Sequence, residues 1–266
     1  MHADLNHIHA QGTKFISCIL YDANLEGADL QNADLSNSSF DKANLRDSHI
    51  GLGGMILFPG TGNVEQHRTR IEGASFQGAD FRGIHFDPFY RDAPNFQEPL
   101  KRVWMYEIET QLQIAKTAVT NDEKKKSLET LTQMITGRIP SLTVRNRDRR
   151  RLTDEIDLIV MNKSLALLTA GLGGPIFVEC KNENKPVGSG TVKKLAGTIP
   201  HGGIGLIVTT RTLSRDAQQE MRLQMLSNAS RGLRMAFWDS TDLEDIAKGE
   251  EPEDRFIERY YHVLSL

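Results

Sequence analysis

The sequence predicts two unlike domains, a short-period repeat followed by a mixed α/β fold, and three observations predict them. Large apolar residues recur at every fifth position over much of residues 1–98, the middle of the chain changes to helical spacing, and the remainder alternates apolar strands with helices. The 266 residues, 39% of them hydrophobic, suffice for two modest domains with ordinary cores and exclude wholesale disorder. With 32 basic against 35 acidic residues the formal charge is -3, so the whole molecule is no polycation, although a local basic surface stays open. Cys18 and Cys180 are too few for a disulfide framework or a thiolate metal site. The opening MHADLNHIHA has neither the basic region nor the apolar stretch of an export signal, and no apolar run reaches membrane-spanning length. The expectation is a soluble cytoplasmic protein.

In the first domain the five-residue period runs through Leu25, Leu30, Leu35, Phe40, Leu45 and Ile50, with Ala23, Ala28, Ala33 and Ala43 two residues before their large partners. Two positions per five can therefore face inward. The register extends back through Leu20, Phe15 and Leu5 and returns at Ile71, Phe76, Phe81 and Phe86. Ile50 to Ile71 is twenty-one residues, one more than four fives, and a loop or bulge around GLGGMILFPGTGN is expected to absorb the extra one. The segments ANLEG, ADLQN, ADLSN, SSFDK and ANLRD resemble a pentapeptide-repeat domain. The resemblance implies a right-handed quadrilateral β-helix, a solenoid in which four fives make one coil, over residues 1–98. Asp29, Asp34 and Asp41 are expected to decorate its solvated surface, since nothing in the repeat converges them on a metal. A scaffold, a dimerisation surface or a target-recognition arm explains the pattern more simply than mimicry of DNA, because lysine and arginine interrupt the acidic residues.

From Pro99, read as a boundary, a helical connector is expected over 99–120, with Trp104, Ile108, Leu112 and Ala115 on one face. Trp104 and Met105 are taken as packing residues. A second helix should begin after Thr120 or Asn121, carry Leu128, Leu131, Met134 and Ile135, and stop at Gly137 and Pro140. Next, Arg145, Arg147, Arg149, Arg150 and Arg151 against Asp148 give seven residues a formal +4, a patch suited to phosphates or simply a charged hairpin.

The chemistry concentrates in EIDLIV and IFVECK. Read as strands, the first sets Ile156, Leu158 and Val160 on one face and makes Asp157 a polar interruption, while the second directs Glu179 and Lys181 to one side and Cys180 to the core. A hairpin across MNKSLALLTAGLGGP would bring Asp157 beside Glu179. Two carboxylates and the Cys180 backbone carbonyl form an oxygen set for Mg²⁺, with Lys181 placed to activate a water or to stabilise charge on a phosphate.

Together EIDLIV, VECK, GTVKKLAG, GLIVTT and RTLSRDAQQE resemble the PD-(D/E)xK nuclease superfamily, in particular Mrr-like restriction-endonuclease domains, across residues 121–246. The resemblance implies an α/β restriction-endonuclease-like core within a domain at 121–266, with Asp157 as the metal-binding aspartate and Glu179 and Lys181 as the ExK element. It makes Glu129, on the helix KKKSLETLTQMI, a further acid that orients water or completes the metal environment. Without it Glu129 reads as a solvated helix residue. Thr191 and Lys194, on a helix that also carries Lys193, are placed at the active edge, and Lys194 is the substrate-backbone candidate. Glu155 and Glu183 have no positional argument of their own. The implied activity is DNA phosphodiester hydrolysis with Mg²⁺, or with Mn²⁺ as a substitute, in restriction or defence against foreign DNA. A homodimer or higher oligomer would let paired centres cut both strands. A non-catalytic DNA-binding or DNA-mimicking protein and an RNA nuclease stay as alternatives, since no residue reads a 2′-hydroxyl. The Gly-Ser-Gly run lacks the spacing of a phosphate-binding loop, so no ATP dependence is expected. Asp239, Asp242, Glu244 and Asp245 are expected as a solvated helix start, and His49, His67, His85 and His201 as isolated residues.

Overall fold

The computed structural model describes residues 3–51, 56–57, 64–65, 68–87, 90, 92–139, 141–145 and 156–266. The chain forms two compact units, Met1–Trp104 and Met105–Leu266.

In the first unit single residues of successive layers pair as parallel β-bridges twenty positions apart, as in Asp4 with Asn24, Asn24 with Asn44, and Asp29 with His49. Each five-residue segment turns back through a hydrogen bond between the large residue and the small one that follows, for example Ala28 N to Leu25 O at 3.0 Å. The third position of that turn has positive φ, as a type II turn requires, and it is occupied by Gly27, Asn32, Asn37, Lys42, Asp47, Gly73 and Gly78 among others. Asp and Asn before the large residue accept from the backbone two residues on, as Asp34 does from Ser36 N at 3.1 Å and Asn44 from Arg46 N at 3.2 Å. Asp29 and Asp34 therefore hold their turns as well as lying at the surface. Leu25, Leu30, Leu35, Phe40 and Leu45 are fully buried, and the alanines before them are buried too. Where serine replaces alanine its hydroxyl finds a main-chain acceptor, Ser48 donating to Leu45 O at 2.8 Å and Ser38 to Phe15 O of a neighbouring layer.

The expected loop or bulge after Ile50 adds more than a single residue to the layer. After Ile50 the bridge offset changes from 20 to 36, joining Asp34 to Arg70, Ser39 to Ser75 and Asn44 to Asp80. The difference of sixteen residues is three fives and one, so the five-residue register survives while the layer is lengthened by an excursion. Strand β1 (His49–Ile50) precedes this interval, and within it β2 (Ile56–Leu57) and β3 (Val64–Glu65) pair antiparallel. β1 then pairs with β4 (His85–Phe86) in parallel. That pairing stacks His49 on His85 with ring centroids 4.6 Å apart, so these two are not isolated. His67 and most of GLGGMILFPGTGN lie outside the described residues.

Helix α1 (Pro94–Thr117) begins five residues before Pro99. Pro99 is thus inside the helix and not at its start. Its missing N–H costs one helical hydrogen bond, offset by burial of its own ring and of Phe96, which meets Phe76 and Phe81 edge-on at 5.1 and 5.0 Å. Tyr90, also buried in this unit, donates its hydroxyl to Thr69 O at 2.6 Å, and burial pushes its pKa up to about 12 against the pull of Arg68. The folded state keeps this proton where an unfolded tyrosine loses it, so the stability it contributes is complete below pH ~10 and disappears as the pH rises through the folded value. In a phenolate absorbance titration one of the five tyrosines should ionise late, and Tyr90→Phe should delete that step. A late step unchanged in Tyr90→Phe would refute the assignment.

The second unit is a five-stranded sheet in the order β5 (Leu142–Arg145), β6 (Leu158–Asn162), β7 (Ile176–Lys181), β8 (Ile204–Thr209) and β9 (Arg234–Trp238). β5, β6 and β7 are antiparallel neighbours, and β7, β8 and β9 are parallel. All six residues of β8 are buried, as expected of a parallel strand covered on both faces. The β6–β7 connection contains a short helix, α3 (Leu165–Thr169), N-capped by Ser164, where a plain hairpin was expected. Helix α2 (Asn121–Arg138) opens on a Thr120/Glu123 capping box, packs on β5, β7 and β8, and runs through Gly137. Pro140 lies outside the described residues, as do Arg147, Arg149, Arg150, Arg151 and Glu155. Arg145, at the end of β5, is exposed. Helices α4 (Ser189–Thr198) and α5 (Arg215–Ser227) pack on each other, while α5 and α7 (Pro252–Ser265) pack on β9. At the acidic start of α6 (Ser240–Ala247) Glu244 and Asp245 keep contact with solvent, but Asp239 is buried and caps the helix, and Asp242 is fully buried with Arg259 Nε 2.8 Å from both its oxygens. The sequence motif marked a helix start, but Arg259 on α7 arrives only through packing.

Candidate active site

The β6–β7 register pairs Leu158 with Val178, and continued by one residue it sets Asp157 opposite Glu179. Asp157 precedes β6 and is anchored twice to β7, its N–H donating to Val178 O at 3.0 Å and its Oδ2 accepting from Cys180 N at 2.7 Å. Both carboxylates are buried, each 8% exposed. Strand alternation puts Glu179 and Lys181 on one face, where Lys181 Nζ lies 2.7 Å from Glu179 Oε1. Glu179 Oε2 is buried and has no hydrogen-bond partner among the described residues. Cys180 faces the other way, its Sγ 3.5 Å from Thr132 Oγ1 of α2, and burial pushes its thiol pKa well up, which makes it a core residue and no nucleophile.

Around these residues lies a cavity of about 470 Å³ lined by Asp157, Glu179, Cys180, Lys181 and three further lysines, Lys124, Lys125 and Lys194. Burial lifts the Glu179 pKa, with the Asp157 charge adding to it against the Lys181 hydrogen bond. Burial works against the Lys181 ammonium, but the hydrogen bond and charge of Glu179 outweigh it and raise its pKa. Lys181 is therefore a cation at neutral pH.

Of the residues expected at the site, Asp157, Glu179, Lys181 and Lys194 meet at this cavity. Lys193 does not, pairing with Glu220 of α5 at 3.6 Å. Glu129 is not part of the cavity lining and reaches it through Lys125, whose Nζ is 3.8 Å from Glu129 Oε1 and 2.9 Å from Asp157 Oδ1. Lys125 was missed. Packing places it: Lys125, Glu129 and Thr132 share one face of α2 and Thr132 touches Cys180, so that face lies over the end of β7. Asn182 was missed as well. Its Nδ2 donates to Ala115 O and Lys124 O at 2.7 and 3.0 Å and its Oδ1 accepts from Thr210 at 2.5 Å, which ties α1, α2 and the end of β8 together at the cavity rim.

The acidic donors present are hard oxygens, those of two carboxylates with Cys180 also on the lining, and the unpartnered Glu179 Oε2 is the kind of buried acceptor a cation satisfies. The set fits Mg²⁺. Among the described residues no group of three or more His, Cys, Asp or Glu side chains converges, so a cation here would depend on these two acids, a main-chain carbonyl and water.

Comparison with known proteins bears on the reading. Pentapeptide repeats match residues 2–31 and 18–49, and the Mrr-type restriction-endonuclease catalytic family matches residues 138–246. The chain joins a pentapeptide-repeat region to an Mrr-type restriction-endonuclease domain. Its mixed α/β core resembles restriction-endonuclease folds, consistent with a PD-(D/E)xK-related nuclease, and Asp157, Glu179 and Lys181 all fall within the matched Mrr-type segment, whereas Glu129 precedes it. Among solved structures, the MspJI restriction endonuclease with a 27-mer oligonucleotide is similar at 15% identity and a TM-score of 0.31, covering 68% of this chain and 38% of that one. HetL, a pentapeptide-repeat protein involved in heterocyst differentiation regulation in the cyanobacterium Nostoc, is similar at 19% identity and a TM-score of 0.11, covering 32% of this chain and 36% of that one. This chain thus spans less than two fifths of either structure. No curated protein matches. Among the described residues no helix is long and apolar enough to cross a membrane.

Proposed function

We propose that the protein is a metal-dependent deoxyribonuclease that hydrolyses DNA phosphodiester bonds in the cytoplasm, in restriction or defence against foreign DNA. The carrying observation is the buried Asp157–Glu179 pair, facing across β6 and β7 with Lys181 beside it, in a cavity whose other charged groups include three more lysines. Asp157, Glu179 and the Cys180 carbonyl would hold Mg²⁺ or Mn²⁺, with Glu129 as an outer acid. Such an ion supplies positive charge against the phosphate and the departing oxygen. Lys181, 2.7 Å from Glu179, activates the attacking water or stabilises negative charge developing on the phosphate. Lys194, on α4 at the same cavity, contacts the substrate backbone. DNA is the partner, and a homodimer would let two centres cut both strands.

For the rest of the chain, we take residues 1–98 as a right-handed quadrilateral solenoid that recruits a protein or DNA, 99–120 as the connector and 121–266 as the nuclease domain. The parallel bridges at twenty-residue intervals support the solenoid reading.

The test is a cleavage panel of duplex DNA, modified and unmodified, single-stranded DNA and matched RNA, with Mg²⁺ or Mn²⁺ and with a chelator. DNA should be cut, the chelator should stop it, and Lys181→Ala should slow it about a hundredfold or more, the scale of losing one charge-stabilising donor. Binding without cleavage of any form under metal-replete conditions would point to the non-catalytic reading, and cleavage of RNA alone to an RNA nuclease.

A further inference from the structure

Lys125 is outside the ExK pattern, yet it makes the closest ion pair to Asp157. Its Nζ is 2.9 Å from Asp157 Oδ1, while Oδ2 of the same carboxylate is taken by the Cys180 N–H at 2.7 Å. Oδ1 is thus the oxygen that an incoming cation would need, and an ammonium stands on it. Lys181 is placed differently, on Glu179 Oε1, and leaves Glu179 Oε2 without a partner. We propose that Lys125 is a tethered counter-ion that fills the cation position at Asp157 in the metal-free protein and competes with a divalent ion for Oδ1. The inference rests on the nuclease reading above.

The physical argument is one of exclusion. Two cations cannot both approach one carboxylate oxygen at contact distance in a partly desolvated cavity without strong mutual repulsion. Entry of a divalent ion therefore requires the ammonium to swing away. The Lys125 side chain can do so, being 51% exposed on a flexible four-carbon stem. Its backbone stays in place, because the Thr120/Glu123 capping box fixes the first turn of α2. Glu129, one turn along the helix and already 3.8 Å from Nζ, provides the acid onto which the displaced ammonium moves. Lys125 is then a positioning residue that sets the metal concentration at which the site loads.

Mn²⁺ binding to the full chain without DNA, followed by electron paramagnetic resonance and calorimetry, tests this for wild type, Lys125→Met, Lys125→Gln and Lys125→Arg. The Met and Gln variants should bind Mn²⁺ about three- to tenfold more tightly, the scale expected for loss of one competing, half-solvated charge. Lys125→Arg keeps the charge and should bind no more tightly than wild type. The metal-free Met and Gln variants should melt lower than wild type, and Mn²⁺ should raise their melting temperature by more. Equal or weaker Mn²⁺ binding by the folded Met or Gln variant would overturn the counter-ion role alone. Failure of all four proteins to bind Mn²⁺ would overturn the nuclease reading together with it.

Discussion

Glu179→Gln and Asp157→Asn should each lower metal-dependent DNA cleavage by roughly three orders of magnitude, the several kcal/mol that ion-held charge supplies to phosphodiester hydrolysis. The fold should survive both changes. An asparagine oxygen can still accept the Cys180 N–H that Asp157 Oδ2 accepts at 2.7 Å, and glutamine removes a charge that burial already disfavours at Glu179. Single-turnover cleavage measured beside thermal melts separates the two effects. A variant that folds and cuts within about tenfold of wild type, a loss of only ~1.4 kcal/mol, would show that its carboxylate does not hold the ion.

The largest expected effect on stability lies away from the cavity. Arg259→Leu should destabilise the second unit by about 3–5 kcal/mol, the usual result of leaving one member of a buried ion pair alone. Asp242 is fully buried, with Arg259 Nε 2.8 Å from both its oxygens, and the guanidinium also stacks 4.8 Å from the Phe237 ring centroid. Adding Asp242→Asn to Arg259→Leu should recover part of the loss, because the orphaned charge is then gone. Chemical denaturation of the single and double variants measures both steps. If Arg259→Leu alone cost under ~1 kcal/mol, the pair would behave as a surface salt bridge and the account of α6 would be wrong.

The repeats were legible because their signal is local. Leu25, Leu30, Leu35, Phe40 and Leu45 announce an inward ladder by spacing alone, and each is fully buried. The excursion after Ile50 was not legible in the same way, since a sixteen-residue lengthening and a one-residue bulge leave the same remainder after division by five. Only bridge partners distinguish them. Pro99 misled for a related reason: a proline inside a helix costs a hydrogen bond that local rules count, while the burial that offsets it, as where Phe96 meets Phe76 and Phe81, joins residues distant in sequence.

At the candidate site, alternation along IFVECK was enough to put Glu179 and Lys181 on one face and Cys180 on the other, and antiparallel pairing with EIDLIV was enough to bring Asp157 across from Glu179. Lys125 read as one of three consecutive lysines on a solvated helix, and nothing local separates it from Lys124 or Lys126. Its role appears once α2 is laid on β7 with Thr132 against Cys180, because that contact fixes which side of the helix looks into the cavity.

Taken by itself, the sequence determined the five-residue ladder, the helix α2 and the strands β6 and β7 of the second unit, and the face each carboxylate takes, because these follow from periods set by backbone geometry within a few residues. Tertiary structure alone decided that Lys125 rests on Asp157, that Asp242 is buried against Arg259, and that His49 stacks on His85. Each of those joins residues from elements whose relative placement is set by core packing, and a short-range attraction between side chains has no counterpart in sequence spacing until that packing exists.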